Sequence, residues 1–291
     1  MTSFRSKSKG SKIFYIFNIF IMLLAIIVTL FPVINILAKS FSDMKSLTEN
    51  TVSIWPKGFN LDTYKTIMVD STFWLNYKNT IVYTVAGTLL NLFMTTIFAY
   101  PLSVTRLKGR RVLMAFVVFT MFFNGGIIPN YMIVNGLGMR NTIFAVIVPG
   151  AISTFNLIVM RTFFEGIPKE LEEAASIDGM NTFGILVRII LPLSKPILAT
   201  MFLFYAVAMW NSWFPALLYL DDPKMQPVTM YLRNLIAGAL SATGADSDSF
   251  GAVSINIRYV SIVLTSLPIL CVYPFLQKYF VQGMMVGSVK G

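Results

Sequence analysis

Glu165-Gly166-Ile167-Pro168-Lys169-Glu170-Leu171-Glu172-Glu173-Ala174-Ala175-Ser176-Ile177-Asp178-Gly179, continuing past Asn181 and Thr182 to Leu191-Pro192, is the stretch that decides how this chain is read. Pro168 suits the first position of a helix, where its missing N–H costs nothing. Glu170, Glu172 and Glu173 then put negative charge beside the positive end of the helix dipole, and Gly179 offers a left-handed stop. A helix of about three turns is expected. Leu171, Ala174, Ala175 and Asp178 fall at i, i+3, i+4 and i+7, a flat small-residue face next to an acidic one. Asn181 or Thr182 then caps a second helix, Phe183–Ile190, which ends at Leu191-Pro192. Two short helices joined by a glycine turn make either a hairpin resting on lipid headgroups or a handle for another protein.

Outward from this stretch the chain is apolar. Of its 291 residues 56% are hydrophobic and 12% charged, against about a quarter charged in a soluble domain, and the mean hydropathy is +0.70. Six charge-free blocks approach the ~20 residues a helix needs to cross hydrocarbon: Ile13–Leu37, Thr80–Val104, Val112–Asn130, Thr142–Met160, Ile197–Leu220 and Tyr259–Leu276. The first is too long for a cleavable signal sequence. The expected organisation is an N-terminal tail over 1–12, a membrane domain over 13–282 containing the loop 165–196, and a C-terminal tail over 283–291. Orientation follows from Arg106, Lys108, Arg110 and Arg111, which crowd one short loop without an acidic residue and are hard to translocate. Both termini and the loop 165–196 are thereby assigned to the cytoplasm.

The net charge of +10 is spread along the flanks of apolar blocks instead of forming one patch. It fits anionic lipid headgroups and topology, and nucleic acid is not an expected partner. One cysteine, Cys271, and no histidine leave no intrachain disulfide, no cysteine-based metal cluster and no histidine ligand. The apolar blocks contain no Asp, Glu, Lys or Arg, so the ion relays of a secondary transporter and the catalytic pairs of an intramembrane enzyme are both missing. A membrane assembly protein would have no reason to carry the 165–196 loop.

Glu173-Ala174-Ala175, three residues, Gly179, nine residues, Ile189, one residue and Leu191-Pro192 resemble the EAA motif of the membrane subunits of binding-protein-dependent ABC importers. Phe122-Phe123-Asn124-Gly125-Gly126, Trp210-Asn211-Ser212-Trp213 and the tail from Gln282-Gly283 to Lys290-Gly291 are similar to the maltose-type carbohydrate permeases, in their lipoprotein- and oligosaccharide-associated subgroup of Gram-positive bacteria. The resemblance implies an all-α integral membrane protein with six transmembrane helices and a cytoplasmic coupling-helix loop, the type I ABC importer permease fold. It also implies that Pro168–Asp178 docks in a cleft of a separate ATPase: Glu173 offers charge, Ala174 and Ala175 permit close approach, Asp178 belongs to the same coupling set, and Gly179 allows the sharp turn. No G-x-x-x-x-G-K-[ST] sequence occurs in the chain, so ATP and magnesium would be bound by that partner and no cofactor by this chain. The implied assembly is a heterodimer with a second, related permease, two ATPase copies and an extracellular solute-binding lipoprotein, set in membrane lipid.

Aromatic faces beside an amide suit sugars, because stacking covers C–H faces while the amide bonds hydroxyls. Trp210 and Asn211 in the fifth block, with Asn124 in the third, are therefore the candidate substrate pathway; helix packing is the competing reading. Asp221–Asn256 reads as a flexible outer loop. The resemblance implies that its residues Ser241, Thr243, Asp246 and Asp248 meet the binding protein. Another solute, such as a peptide or a lipid-linked glycan, fits the same architecture.

Overall fold

The computed structural model describes residues 9–242 and 256–272, and among them there is no strand. The first apolar block forms α1, Lys9–Ser40, a helix of 32 residues that runs through Pro32. Short helices α2 (Met44–Thr48) and α3 (Asp62–Val69) follow. The second block is α4, Ser71–Ser103. It begins nine residues before the expected Thr80, because the polar and aromatic run Ser71–Asn79 continues the helix beyond the part that hydropathy detects.

The third, fourth and fifth blocks are not single helices. The third breaks into α5 (Arg110–Phe122) and α6 (Ile127–Gly136), bent by 114°. Asn124 Oδ1 accepts the Gly126 N–H at 2.9 Å, and Gly126 holds φ +87, a left-handed conformation open to glycine. The fourth becomes α7 (Ile143–Ile147) and α8 (Thr154–Glu165), separated by Pro149-Gly150 and restarted by Ser153, whose hydroxyl accepts the Asn156 N–H. The segment after Gly166 supplies α9 (Lys169–Ile177), α10 (Thr182–Ile185), a π turn (Leu186–Ile190) and α11 (Leu191–Leu193). The fifth block is α12 (Lys195–Trp210) and α13 (Phe214–Tyr219), interrupted at Asn211-Ser212-Trp213. A helix α14, Val228–Ala242, then occupies part of the segment expected to be a loop; its side chains repeat with helical amphipathicity that the Gly and Ser content obscured. The last helix, α15, is Asn256–Val272. Two helices, α1 and α4, are long and apolar enough to cross a membrane alone, and up to four spans result if each sharply bent pair counts as one.

The described residues form two compact units. One holds residues 9–70, 232–242 and 256–266. In it α1 is exposed along residues 10–34, and only its last turns are anchored. There Ala38 packs with Leu47, Val52 and Tyr259; Lys39 lies over the Tyr259 ring at 5.4 Å, and the Tyr64 hydroxyl donates to Ser40 Oγ at 2.8 Å.

The other unit holds Ser71–Tyr231 with 267–272. Here α4 is the central helix, packed on α12, α8 and α7. At Gly87 the approach of α12 is so close that a Cβ would stand 2.7 Å from Met209 Sδ. The Tyr205 hydroxyl of α12 pairs with Thr95 Oγ1 of α4 at 2.6 Å and accepts the Ser153 N–H at 3.2 Å, so one side chain ties three helices. A buried cluster of Ala99, Tyr100, Leu157, Met160, Phe164, Ile190, Ile197 and Met201 fills the end of the unit that carries α9.

Candidate functional site

The α9 hairpin is built by local rules. Its N-terminal turn carries Glu170 and Glu172, as the dipole favours. Pro168 stands one position earlier than expected, as the N-cap with ψ 127, because helical backbone begins only at Lys169. Nine helical residues give two and a half turns instead of three. At the other end the Met180 N–H donates to the Ala175 carbonyl at 2.9 Å and the Gly179 N–H to the Ser176 carbonyl at 3.1 Å. This 6→1 and 5→2 pair is a Schellman motif, and it holds Gly179 at φ +79. Asn181 caps α10, accepting the Gly184 N–H at 2.7 Å, and a π turn replaces the rest of the expected helix. Pro192 explains that turn: it cannot donate to the Arg188 carbonyl, its ring crowds that carbonyl, and the Leu191 N–H reaches back to Leu186 instead.

The paired alanines separate. Ala175 is 5% exposed and belongs to the buried cluster with Ile185 and Leu186, so its small side chain lets α9 lie against this chain's own core. Ala174, Glu173, Asp178 and Gly179 are exposed. So are Leu171, Ile177 and Phe183, the latter two 86% and 68% exposed. These apolar side chains on a charged hairpin add to the motif residues an apolar outer surface that the spacing rule does not reveal. Between α9 and the turn after α4 lies a cleft of about 260 Å3 lined by residues that include Thr105, Arg106, Glu165, Lys169, Glu172 and Glu173. Lys169 Nζ reaches Thr105 Oγ1 across it at 3.4 Å.

Behind the cleft is a cluster that sequence reasoning used only for orientation. Glu165, the last residue of α8, pairs with Arg110 and with Arg161, the latter at 2.6 Å. Both arginines turn their Nε donors to one acceptor, the carbonyl of Leu102 in the last turn of α4, at 2.7 and 3.0 Å. That carbonyl is among those a helix end leaves unpaired, and the dipole there favours cations. Burial and the neighbouring Arg110 lower the pKa of Arg161 from its ordinary value. The missing signal is separation: Arg110 and Glu165 are 55 positions apart and obey no periodicity.

Of the three pathway candidates, Asn124 lies at the α5–α6 bend, whereas Trp210 and Asn211 lie at the end of α12. Trp210 is 7% exposed, sits edge-on to Tyr77 at 5.8 Å and lines an apolar pocket with Ile81, Val85, Phe202 and Val207. Asn211 is exposed and donates to the Val207 carbonyl at 2.8 Å, closing the end of α12. Asn124 is exposed and organises the α5–α6 bend. Ser241 lies at the end of α14, whereas Thr243, Asp246, Asp248 and the C-terminal tail lie outside the described residues.

A second polar cluster joins the turn before α7 to the segment after α13. Asp221 accepts from Arg140 at 2.7 Å and from Asn141 Nδ2 at 3.1 Å, while its own N–H donates to Asn141 Oδ1 at 2.6 Å. Arg140, with Asn141, holds the Asp221 carboxyl below its ordinary range.

Residues 72–286 match the family model for the binding-protein-dependent transport system inner membrane component. The chain is 44% identical over 286 residues to protein LplC of Bacillus subtilis (strain 168), covering 98% of this chain and 97% of that protein. It is 40% identical over 276 residues to the polygalacturonan/rhamnogalacturonan transport system permease protein YtcP of the same organism, covering 94% and 96%. In structure it matches a chain of a bacterial ABC transporter involved in the import of the acidic polysaccharide alginate, with a TM-score of 0.84, 33% identity, and coverage of 94% of this chain and 99% of that one. The chain therefore belongs to the family of inner membrane components of binding-protein-dependent transport systems.

Proposed function

We propose that this chain is one permease subunit of an ATP-driven importer for a sugar or oligosaccharide, forming half of the translocation pathway. The observation that carries the reading is the α9 hairpin: a short, capped, acidic helix with exposed Leu171, Ile177 and Phe183, fixed to the core by Ala175 and placed between α8 and α12. A helix so displayed is suited to fill a cleft on another protein. In this reading Glu173, Ala174, Asp178 and Gly179 face a cytoplasmic ATPase that binds ATP and magnesium, and closure of that ATPase tilts the membrane helices. The sugar assignment is supported by relatives named for polygalacturonan/rhamnogalacturonan transport and alginate import.

The bent and broken helices serve a six-span layout with both termini in the cytoplasm, in which α5–α6, α7–α8 and α12–α13 each carry the chain across by more than one segment. Trp210, Asn211 and Asn124 are the proposed contributions to the pathway, and Ser241, Thr243, Asp246 and Asp248 the proposed contact with an extracellular binding protein. The complex is a heterodimer of this chain with a related permease, plus two ATPase copies.

Purification of the tagged chain from its native membrane in mild detergent tests this. Co-purification of an ATPase and a second permease, with ATP hydrolysis stimulated by a sugar-loaded binding protein, is the expected result. Recovery of the chain alone after gentle crosslinking would refute it. Deleting Glu173–Gly179 should abolish the stimulation.

A further inference from the structure

We infer that Glu165, gripping Arg110 and Arg161, is the joint through which movement of the α9 hairpin passes into α4 and α5. The inference rests on the reading of α9 as the ATPase-docking element. Glu165 ends α8, and only Gly166, Ile167 and Pro168 separate it from the first residue of α9. A displacement of α9 therefore acts first on the end of α8. Ala175 and Lys169 also tie α9 to the core and to the turn after α4, but the charged cluster is the tie that joins the end of α8 directly to α4 and α5.

The cross-connection has a specific form. One carboxylate takes two guanidiniums, and the same two guanidiniums converge by their Nε donors on the Leu102 carbonyl. Arg110 is the first residue of α5, Leu102 lies in the last turn of α4, and Arg161 is one turn back along α8. Three helix ends thus meet at four groups. Arginine's planar fork allows each side chain to hold a carboxylate and a carbonyl together, which a lysine's single ammonium does not reproduce. The side chains of Arg110, Arg161 and Glu165 are 21%, 19% and 28% exposed, so the contacts are less screened than surface pairs.

Orientation by positive charge needs no such geometry. Arg106, Lys108 and Arg111 supply charge in the same loop, and lysine serves that purpose as well as arginine. Removing the carboxylate leaves two cations side by side on one carbonyl; their repulsion frees α5 from the ends of α4 and α8 while the apolar cluster around Met160 and Phe164 keeps the helices folded. Glu165 is thus a positioning residue for transport.

The test uses the whole transporter in proteoliposomes, reading ATP hydrolysed per sugar imported together with complex yield and melting temperature. Glu165→Gln is expected to raise the ATP-to-sugar ratio at least about fivefold with assembly retained, and Arg161→Lys to do the same. A wild-type ratio in both variants overturns the inference and leaves only structural attachment. Should Glu165→Gln reduce assembly, Arg161→Lys decides, since it keeps the charge and loses only the fork. Failure of the reading beneath is seen separately: deletion of Glu173–Gly179 would then leave ATP turnover and its stimulation intact.

Discussion

Replacing Gly179 with alanine isolates what the turn after α9 contributes. The residue sits at φ +79, and a Cβ there would meet no atom within 4 Å. No clash enters, so the cost is that of the left-handed conformation itself, roughly 1–2 kcal/mol for an L-residue with a Cβ. Part is returned because alanine has less freedom than glycine in the opened chain, by about 0.4–1 kcal/mol. The net is about 1 kcal/mol, which multiplies local opening about fivefold. Amide hydrogen exchange reads this directly, because the N–H groups of residues 179 and 180 donate to the Ser176 and Ala175 carbonyls. Exchange at both should accelerate about fivefold, with the melting temperature of the membrane core nearly unchanged. Gly179→Asn should fall between wild type and Gly179→Ala, since asparagine tolerates the left-handed region. Wild-type exchange in Gly179→Ala, or faster exchange in Gly179→Asn than in Gly179→Ala, would refute the argument that backbone conformation alone sets this turn.

At Gly87, valine would drive a side chain into Met209, whose sulfur stands 2.7 Å from the Cβ position; a loss of about 1–3 kcal/mol is expected in detergent melting experiments, and Met209→Ala in the same chain should restore much of it. Tyr205→Phe strips the hydroxyl shared by Thr95 and the Ser153 N–H, and the groups left without it should cost about 1–3 kcal/mol, visible as a lowered melting temperature. Asp221 has a folded pKa below its ordinary 3.8, so its contribution is complete above that value and is lost as pH falls through the lower one. Wild type and Asp221→Asn should therefore differ by a constant amount between pH 5 and 8 and converge only in stronger acid; a difference that changes near neutrality would contradict the Arg140 pairing.

The parts of this protein that were legible in the sequence are those governed by near neighbours. Gly179 and Asn181 act on groups three to five residues away, so their roles follow from the order of residues alone. The apolar blocks located α1 and α4 for the same reason. Hydropathy does not see where a block bends, however: Gly126, the Pro149-Gly150 pair and Asn211 interrupt helices without changing the mean apolarity, and the third to fifth blocks came apart at those points. Ala174 and Ala175 looked equivalent, and only a tertiary cluster that draws in residues as distant as Ala99 and Ile197 made one of them core. The grip of Glu165 on Arg110 depends on α4, α5 and α8 all being in place.

The bare length of α1 has a consequence of another kind. Its exposed stretch, residues 10–34, measures about 37 Å at 1.5 Å per residue, against a hydrocarbon thickness of ~30 Å. The side chains along that length stand exposed, while the far end is held at Ser40 and Lys39. The helix is a lever hinged at one end whose inclination is fixed by what surrounds it, at fractions of a kcal/mol per Å of mismatch. A thinner bilayer makes it lean further, and a neighbouring polypeptide that grips its apolar flank sets the angle in place of lipid.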